Sequence, residues 1–183
     1  MPAFAAFTLS APRLQLRSLT AADVPALYRM FSDPDAMRFW SSAPLDSMRQ
    51  AEDYFAAAQA GYESGDLLRM GLEVDGELAG IINLYSFNRQ NRRCDIGYML
   101  DRAFWGKGYM QEAMATLIDY AFRVLRLHRI EADIDPRNTA SAKLLKSLHF
   151  VHEGHMRERW IINGEICDTD FFGLLRSDWL AAR

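Results

Sequence analysis

Apolar and polar positions in this chain repeat at two periods, and the changes of period mark its elements. Arg13–Arg17 alternates as a half-buried strand does, with Leu14 and Leu16 sharing a face. Thr20 followed by Asp23 resembles a capping box with a shorter acid. Val24, Leu27, Tyr28 and Phe31 then recur at helical spacing until Asp33–Pro34 stops them. A second helix starts near Asp46 or Ser47. Its buried stripe is Met48, Ala51, Phe55, Ala58 and Tyr62, and Gly65 lies just past its end. From Leu67 the period becomes that of strands. Leu68–Val74 and Leu78–Phe87 flank the hairpin signal Asp75–Gly76, Asn88–Asn91 is a second polar turn, and Cys94–Leu100 completes an antiparallel meander.

After the closely spaced Gly106 and Gly108, Met110, Met114, Leu117, Ile118, Ala121 and Leu125 line one face of a helix. His128–Asp135 reads as a strand, Pro136–Asn138 as a turn and Ala140–Leu148 as a short helix. Phe150–Ile162 and Glu165–Leu175 pair across Asn163–Gly164. The order β-α-α-β-β-β-α-β-α-β-β predicts an α+β domain, a mixed sheet with helices on it, over residues 11–180 after a loose lead-in of residues 1–10.

Composition narrows the setting. At 183 residues, half of them hydrophobic, the chain suits one domain with a sizeable core. A formal net charge of −3 argues against a nucleic-acid binder working through bulk charge. Cys94 and Cys167 have no metal-ligand spacing and read as isolated reduced thiols. No signal peptide and no apolar run of membrane-spanning length is evident, so the expectation is a cytoplasmic protein without a membrane partner.

Sixteen residues, Met99–Met114, join a strand end to a helix through Gly106–Lys107–Gly108. Glycines there permit positive φ and leave amides unobstructed, where a helix start has unpaired N–H groups and a positive dipole end. That combination binds phosphate. It also serves as a mere tight connection, and the glycines alone leave both readings open. A P-loop is excluded because Gly108 follows Lys107, and the dinucleotide fingerprint because Gln111 holds its third glycine position.

The runs DIGYML–DRAFWGKGYMQEAM and, downstream, DPRNTASAKLLKSLHF resemble the GNAT superfamily of acyl-CoA N-acyltransferases. The resemblance extends from about Arg13 to about Trp179, including LRSLTAAD and NGEICDTDFFGLL, and is nearest the RimJ/RimL branch, whose members acetylate ribosomal-protein N-termini or other amines. It implies an acetyl-CoA cleft between the splayed strands Cys94–Leu100 and His128–Asp135. It implies cofactor contacts from Met99, Leu100, Arg102, Trp105, Gly106, Lys107, Gly108, Tyr109, Met110, Asn138, Ser141 and Lys143, with the loop Trp105–Met110 around the pyrophosphate. Trp105 and Met110 depart from the wider superfamily pattern in a way common to that branch. Arg102 reads equally as a solvated loop cation.

Three residues are candidates for catalysis. Asn138 reads from the sequence as a helix N-cap and Ser141 as a first-turn residue; the resemblance places Asn138 at the pantetheine or thioester and makes the Ser141 hydroxyl the proton donor to the departing thiolate. Leu145 stands where many members carry a tyrosine acid, and leucine cannot donate a proton. Asp95 is the candidate base, against the plainer reading of a surface acid on an alternating strand.

Other features carry rival readings. Glu131, Asp133 and Asp135 share a strand face, either as a lure for a cationic acceptor or as ordinary solvent-side patterning. Phe39, Trp40, Tyr85 and Trp160 are acceptor-wall candidates or core. Alternation puts His149 and His155 on one face and His152 on the other, which argues against a metal site. Arg123, Arg126 and Arg129 read as cations at a helix end, with no need of RNA. The expected activity is acetyl transfer to a primary amine, a protein or peptide N-terminus before a small amine. A silent acyl-CoA-binding module is the rival, and an isologous homodimer the default assembly.

Overall fold

The computed structural model describes Phe4 and residues 6–182. In chain order its strands are β1 (Thr8–Ser10), β2 (Gln15–Ser18), β3 (Leu68–Val74), β4 (Glu77–Asn88), β5 (Arg93–Leu100), β6 (Arg129–Ile134), β7 (Val151–Ile162) and β8 (Glu165–Leu175). The helices are α1 (Val24–Ser32), α2 (Met48–Ser64), α3 (Tyr109–Arg123), α4 (Thr139–Ser147) and α5 (Arg176–Ala181). All eight strands form one sheet in the order β1-β2-β3-β4-β5-β6-β8-β7. Neighbours are antiparallel except β5 and β6, which are parallel and joined by α3. The α+β domain with a mixed, mostly antiparallel sheet is thus as the pattern of apolar positions implies.

The central strands bury both faces, whereas the edge strand β7 is largely exposed. On one, Leu16, Leu72, Ile82, Ile96 and Ile130 pack against Met114, Leu117 and Ile118 of α3, Leu145 of α4 and Trp179 of α5. On the other, Ile81 and Met99 pack against Leu27, Met30 and Phe31 of α1 and Ala51 and Ala58 of α2. Strand alternation sorts side chains between these cores, so Asp95, Gly97 and Met99 lie on the α1/α2 face and Cys94, Ile96 and Tyr98 on the α3/α4 face. The turn signals are realised: Asp75–Gly76 and Asn163–Gly164 all have positive φ, as a type I′ hairpin turn requires, and Gly65 caps α2 in the left-handed region. Thr20 and Asp23 do form their reciprocal cap, the Thr20 amide donating to the Asp23 carboxylate at 2.7 Å, but on a short 3₁₀ turn leading into α1.

The structure departs from the sequence reading in five places. Thr8–Ser10 of the expected lead-in is a strand paired with β2, and Phe4 and Phe7 pack on the larger core; Met1–Ala3 and Ala5 lie outside the described residues. Helix α5 follows β8 directly, where the periodic pattern is too short to signal it. Met48 opens α2 exposed, outside the buried stripe. A bulge between His152 and Gly154 breaks the alternation of β7, so His152 and His155 both reach Asp170, at 3.3 and 2.8 Å. Arg129 lies on β6, not at a helix end, and pairs with Glu131 and Glu153.

Candidate active site

Strand β5 is paired along its whole length to β4 but to β6 only through Arg93, Cys94 and Asp95. Beyond Asp95 the two parallel strands diverge, and Ile96–Leu100 keeps a neighbour on one edge alone. The result is a wedge-shaped seam in the middle of the sheet, which ends at the loop before α3. Gly80 of β4 lets Met99 in close, since a Cβ there would stand 2.4 Å from the Met99 carbonyl oxygen.

The loop is built to leave donors free. Gly106 has φ 73° and Gly108 φ 79°, and Gly108 is the N-cap of α3. Among the described residues, the amides of Gly106, Lys107, Gly108, Tyr109, Met110 and Gln111 donate to no protein acceptor. A Cβ on Gly106 would meet nothing within 4 Å, so the space above the loop is open. The amides therefore fit a diphosphate at the positive end of a fifteen-residue helix.

The loop is fixed from both sides. The Trp105 indole nitrogen donates to the Leu100 carbonyl at 2.7 Å. Lys107 turns its ammonium back to the Ala103 carbonyl, 3.0 Å away, above the Phe104 ring. Arg13, from the turn between β1 and β2, donates its Nε and its backbone amide to Glu112, both at 2.7 Å, and one guanidinium nitrogen to the Lys107 carbonyl at 3.0 Å. The same guanidinium lies over the Tyr109 ring. Glu112 in the first turn of α3 is thereby neutralised beside a site for anions. Arg102 points away from the loop, pairing with Asp35 at 2.6 Å and Asp33 at 3.4 Å. Lys143 is exposed on α4.

Across the seam, α4 presents its first turn. Asn138 caps it, its side-chain oxygen accepting the Ser141 amide at 3.1 Å. The Ser141 hydroxyl lies 3.0 Å from the Tyr98 hydroxyl, a bridge from helix to β5. Burial pushes the Tyr98 phenol up to about 12, the Ser141 contact opposing it. Leu145, where an alternative acid would sit, is wholly buried in the core.

The α1/α2 face of the seam carries carboxylates. Asp95 stands at the crotch, in register with Tyr85 on β4 and Glu131 on β6. Burial raises the Asp95 pKa; the Ser86 hydroxyl opposes the rise, and Glu131 and Asp133 add to it. Glu131, neither a free lure nor solvent-side, is buried and pairs with Arg93 and Arg129. Asp135 pairs with Arg137. Asp133 accepts from the Trp160 indole at 3.1 Å, and neither it nor Asp95 forms an ion pair among the described residues. Phe39 lines a hollow of about 200 Å³ with Arg38, Asp135 and Ile162, whereas Trp40 packs edge-on against Phe31 in the smaller core. Among the described residues no group of three or more His, Cys, Asp or Glu side chains is placed to hold a metal ion.

Sequence reasoning missed three participants. Arg13 binds partners that follow it by more than ninety residues, which no local pattern reveals. Tyr98 reads as one more core aromatic. Asn83 is buried on β4 with its side-chain oxygen held by Arg69 at 3.1 Å.

An open seam in a mixed sheet, ending at a loop of unclaimed amides, fits an extended ligand that carries a phosphate group. Residues 13–151 match the Acetyltransferase (GNAT) domain, and the chain belongs to that family of acetyl-CoA-dependent N-acetyltransferases. It is 36% identical over 174 residues to an uncharacterised N-acetyltransferase, p20, of Bacillus licheniformis, an alignment covering 94% of this chain and 98% of the relative. It superposes on the crystal structure of spermidine N-acetyltransferase from Vibrio cholerae in complex with CoA and spermine with a TM-score of 0.82 and 25% identity, over 92% of this chain and 98% of that one. It shares the fold of RimL, a ribosomal alpha-N-protein acetyltransferase, with a TM-score of 0.85 and 21% identity, over 93% and 94% of the two chains. No helix among the described residues is long and apolar enough to cross a membrane.

Proposed function

We propose that the enzyme acetylates the primary amine of a peptide or protein N-terminus, with Asp95 as base and Ser141 as proton donor. The observation that carries the site assignment is the seam itself: unclaimed amides and Ser141 on its α3/α4 side, Asp95 on its α1/α2 side. Acetyl-CoA supplies an activated acetyl group and a thiolate leaving group. The amides of Gly106–Gln111 grip its diphosphate, and the strand edge left single at Ile96–Leu100 holds the arm between them. Asp95 takes one proton from the acceptor ammonium, leaving a nitrogen lone pair to attack the acyl carbon. As the C–N bond forms and the C–S bond breaks, the electron pair leaves on sulfur. Ser141 gives sulfur its proton and is replenished by the second proton that nitrogen sheds, and Asp95 releases the first to solvent, so the protein ends unchanged. Holding both reactants in one seam supplies much of the rate.

The preference for a peptide N-terminus rests on the floor above Gly97. Above Gly97 stand two groups able to donate, the amide nitrogen of Asn83, whose side-chain oxygen Arg69 pins, and the Tyr85 hydroxyl, each 3.9 Å from where a Gly97 Cβ would stand. A donor beside the reacting amine suits an acceptor carrying a carbonyl next to that amine; a polyamine has none. The carboxylates Asp95 and Asp133 favour any cationic acceptor, which keeps spermidine the second reading. Free-thiol release from acetyl-CoA with a panel of short peptides, amino-acid amides and spermidine decides. Peptides should exceed spermidine in kcat/KM by about tenfold or more, the value of one well-placed hydrogen bond; the reverse order overturns the peptide assignment.

A further inference from the structure

The hydroxyl pair that bridges β5 and α4 has a direction. A phenol is the stronger donor of the two and, with its lone pair drawn into the ring, the poorer acceptor. Among the described residues the Tyr98 hydroxyl has no hydrogen-bond partner except Ser141 Oγ. Half-buried against the larger core, it has no other protein acceptor for its proton among the described residues. Ser141 Oγ is therefore the acceptor, and its own proton is not used in the pair.

Four other helical hydroxyls, all beyond the first turn of their helices, behave differently, while the first-turn Thr139 and Ser177 make no backward bond among the described residues. Ser32, Ser64, Thr116 and Ser147 each turn the hydroxyl back onto a carbonyl three or four residues earlier, Thr116 at 2.9 Å and Ser147 at 2.7 Å. That is the usual fate of a serine or threonine in a helix, and it consumes the proton. Ser141 has no such bond among the described residues. Its amide is tied to Asn138 and its oxygen is turned toward β5, at the positive end of α4.

We infer that Tyr98 is a positioning residue for proton delivery: by donating to Ser141 Oγ it withholds the serine from its own helix and aims the serine proton into the seam. The inference rests on the assignment of Ser141 as proton donor. A hydrogen bond received at oxygen also makes that oxygen's proton easier to give, so Tyr98 both aims and polarises. The phenol keeps its own proton throughout.

The test is a double-variant cycle on the intact enzyme with acetyl-CoA and the best amine of the panel, read as free-thiol release. Ser141→Ala should lower kcat by about 10²-fold and Tyr98→Phe, which keeps the ring, by about tenfold, both with the KM for acetyl-CoA within about twofold of wild type. The double variant should be no slower than Ser141→Ala alone, since without the serine there is nothing to aim. Ser141→Thr, which keeps a hydroxyl, should recover most of the rate. Wild-type kcat in Tyr98→Phe beside an impaired Ser141→Ala overturns the role of Tyr98 and leaves that of Ser141 standing. Multiplying losses in the double variant, or a raised KM and lowered thermal midpoint in Tyr98→Phe, make Tyr98 merely structural and also overturn it. Wild-type kcat in Ser141→Ala overturns the serine assignment itself.

Discussion

Asp95, the proposed base, is held where ionisation is unfavourable. Burial raises its pKa, so the charged form lowers the stability of the folded protein at neutral pH, and that cost is relieved as pH falls through the raised value. Asp95→Asn should therefore leave the thermal midpoint unchanged or higher, while lowering kcat by about 10²-fold at saturating acceptor. The wild-type kcat should fall on the acid side at a pH above the ordinary carboxylate range, and that limb should vanish in Asp95→Asn; a wild-type kcat and an intact limb in the variant would exclude Asp95 as the base. At this scale the sequence was half legible. Gly106 and Gly108 stand out because type and spacing carry their chemistry, whereas Asn138, Ser141 and Asp95 are picked out only through the family resemblance. Tyr98 and Asn83 do not stand out, because an aromatic or amide on a strand looks the same whether it fills a core or orients a neighbour. The ion pairs of Arg102 and Arg129 are also invisible locally: their partners come from other elements.

Among the elements, the loop before α3 shows how local pattern and distant support divide the work. Its glycines and the helix after them are readable in sixteen consecutive residues, but the brace that fixes it comes from the turn between β1 and β2. Arg13→Ala should leave kcat nearly unchanged and raise the KM for acetyl-CoA about fivefold, because the amides would still be present but no longer held in one arrangement. The exposure of Arg13 keeps its contribution to overall stability small. Isothermal titration with coenzyme A reads the same loss directly; unaltered affinity would mean that the loop holds its shape unaided. Strand ends, hairpin turns and helix caps were legible to within a residue or two, since each has a signal of its own. The bulge in β7 was not. It inserts a residue without changing composition, and it brings His152 and His155 to one aspartate. Between Asp168 and Asp170 the His155 pKa is raised, chiefly by its hydrogen bond to Asp170.

For the whole molecule, the order of elements was enough to give the class of fold, and the splitting of the sheet followed only from the family resemblance. Three residue pairs join β5 to β6, and everything else about their contact is open edge. Hydrogen exchange should accordingly find the amides of Ile96–Leu100 less protected than those of β3 and β4 in the free enzyme, and strongly slowed when coenzyme A is added. Equal protection with and without coenzyme A would show that the seam is closed in solution. The sheet order has a further consequence. Strand β8 is made late but lies inside, between β6 and β7. A nascent chain emerging from the ribosome can assemble β1 to β5 with their helices, yet β6 gains its second neighbour only after Leu175 has been synthesised. Until then Glu131 and Asp133 stand beside an unpaired edge, so the β6 wall of the seam is the last part of the site to be completed.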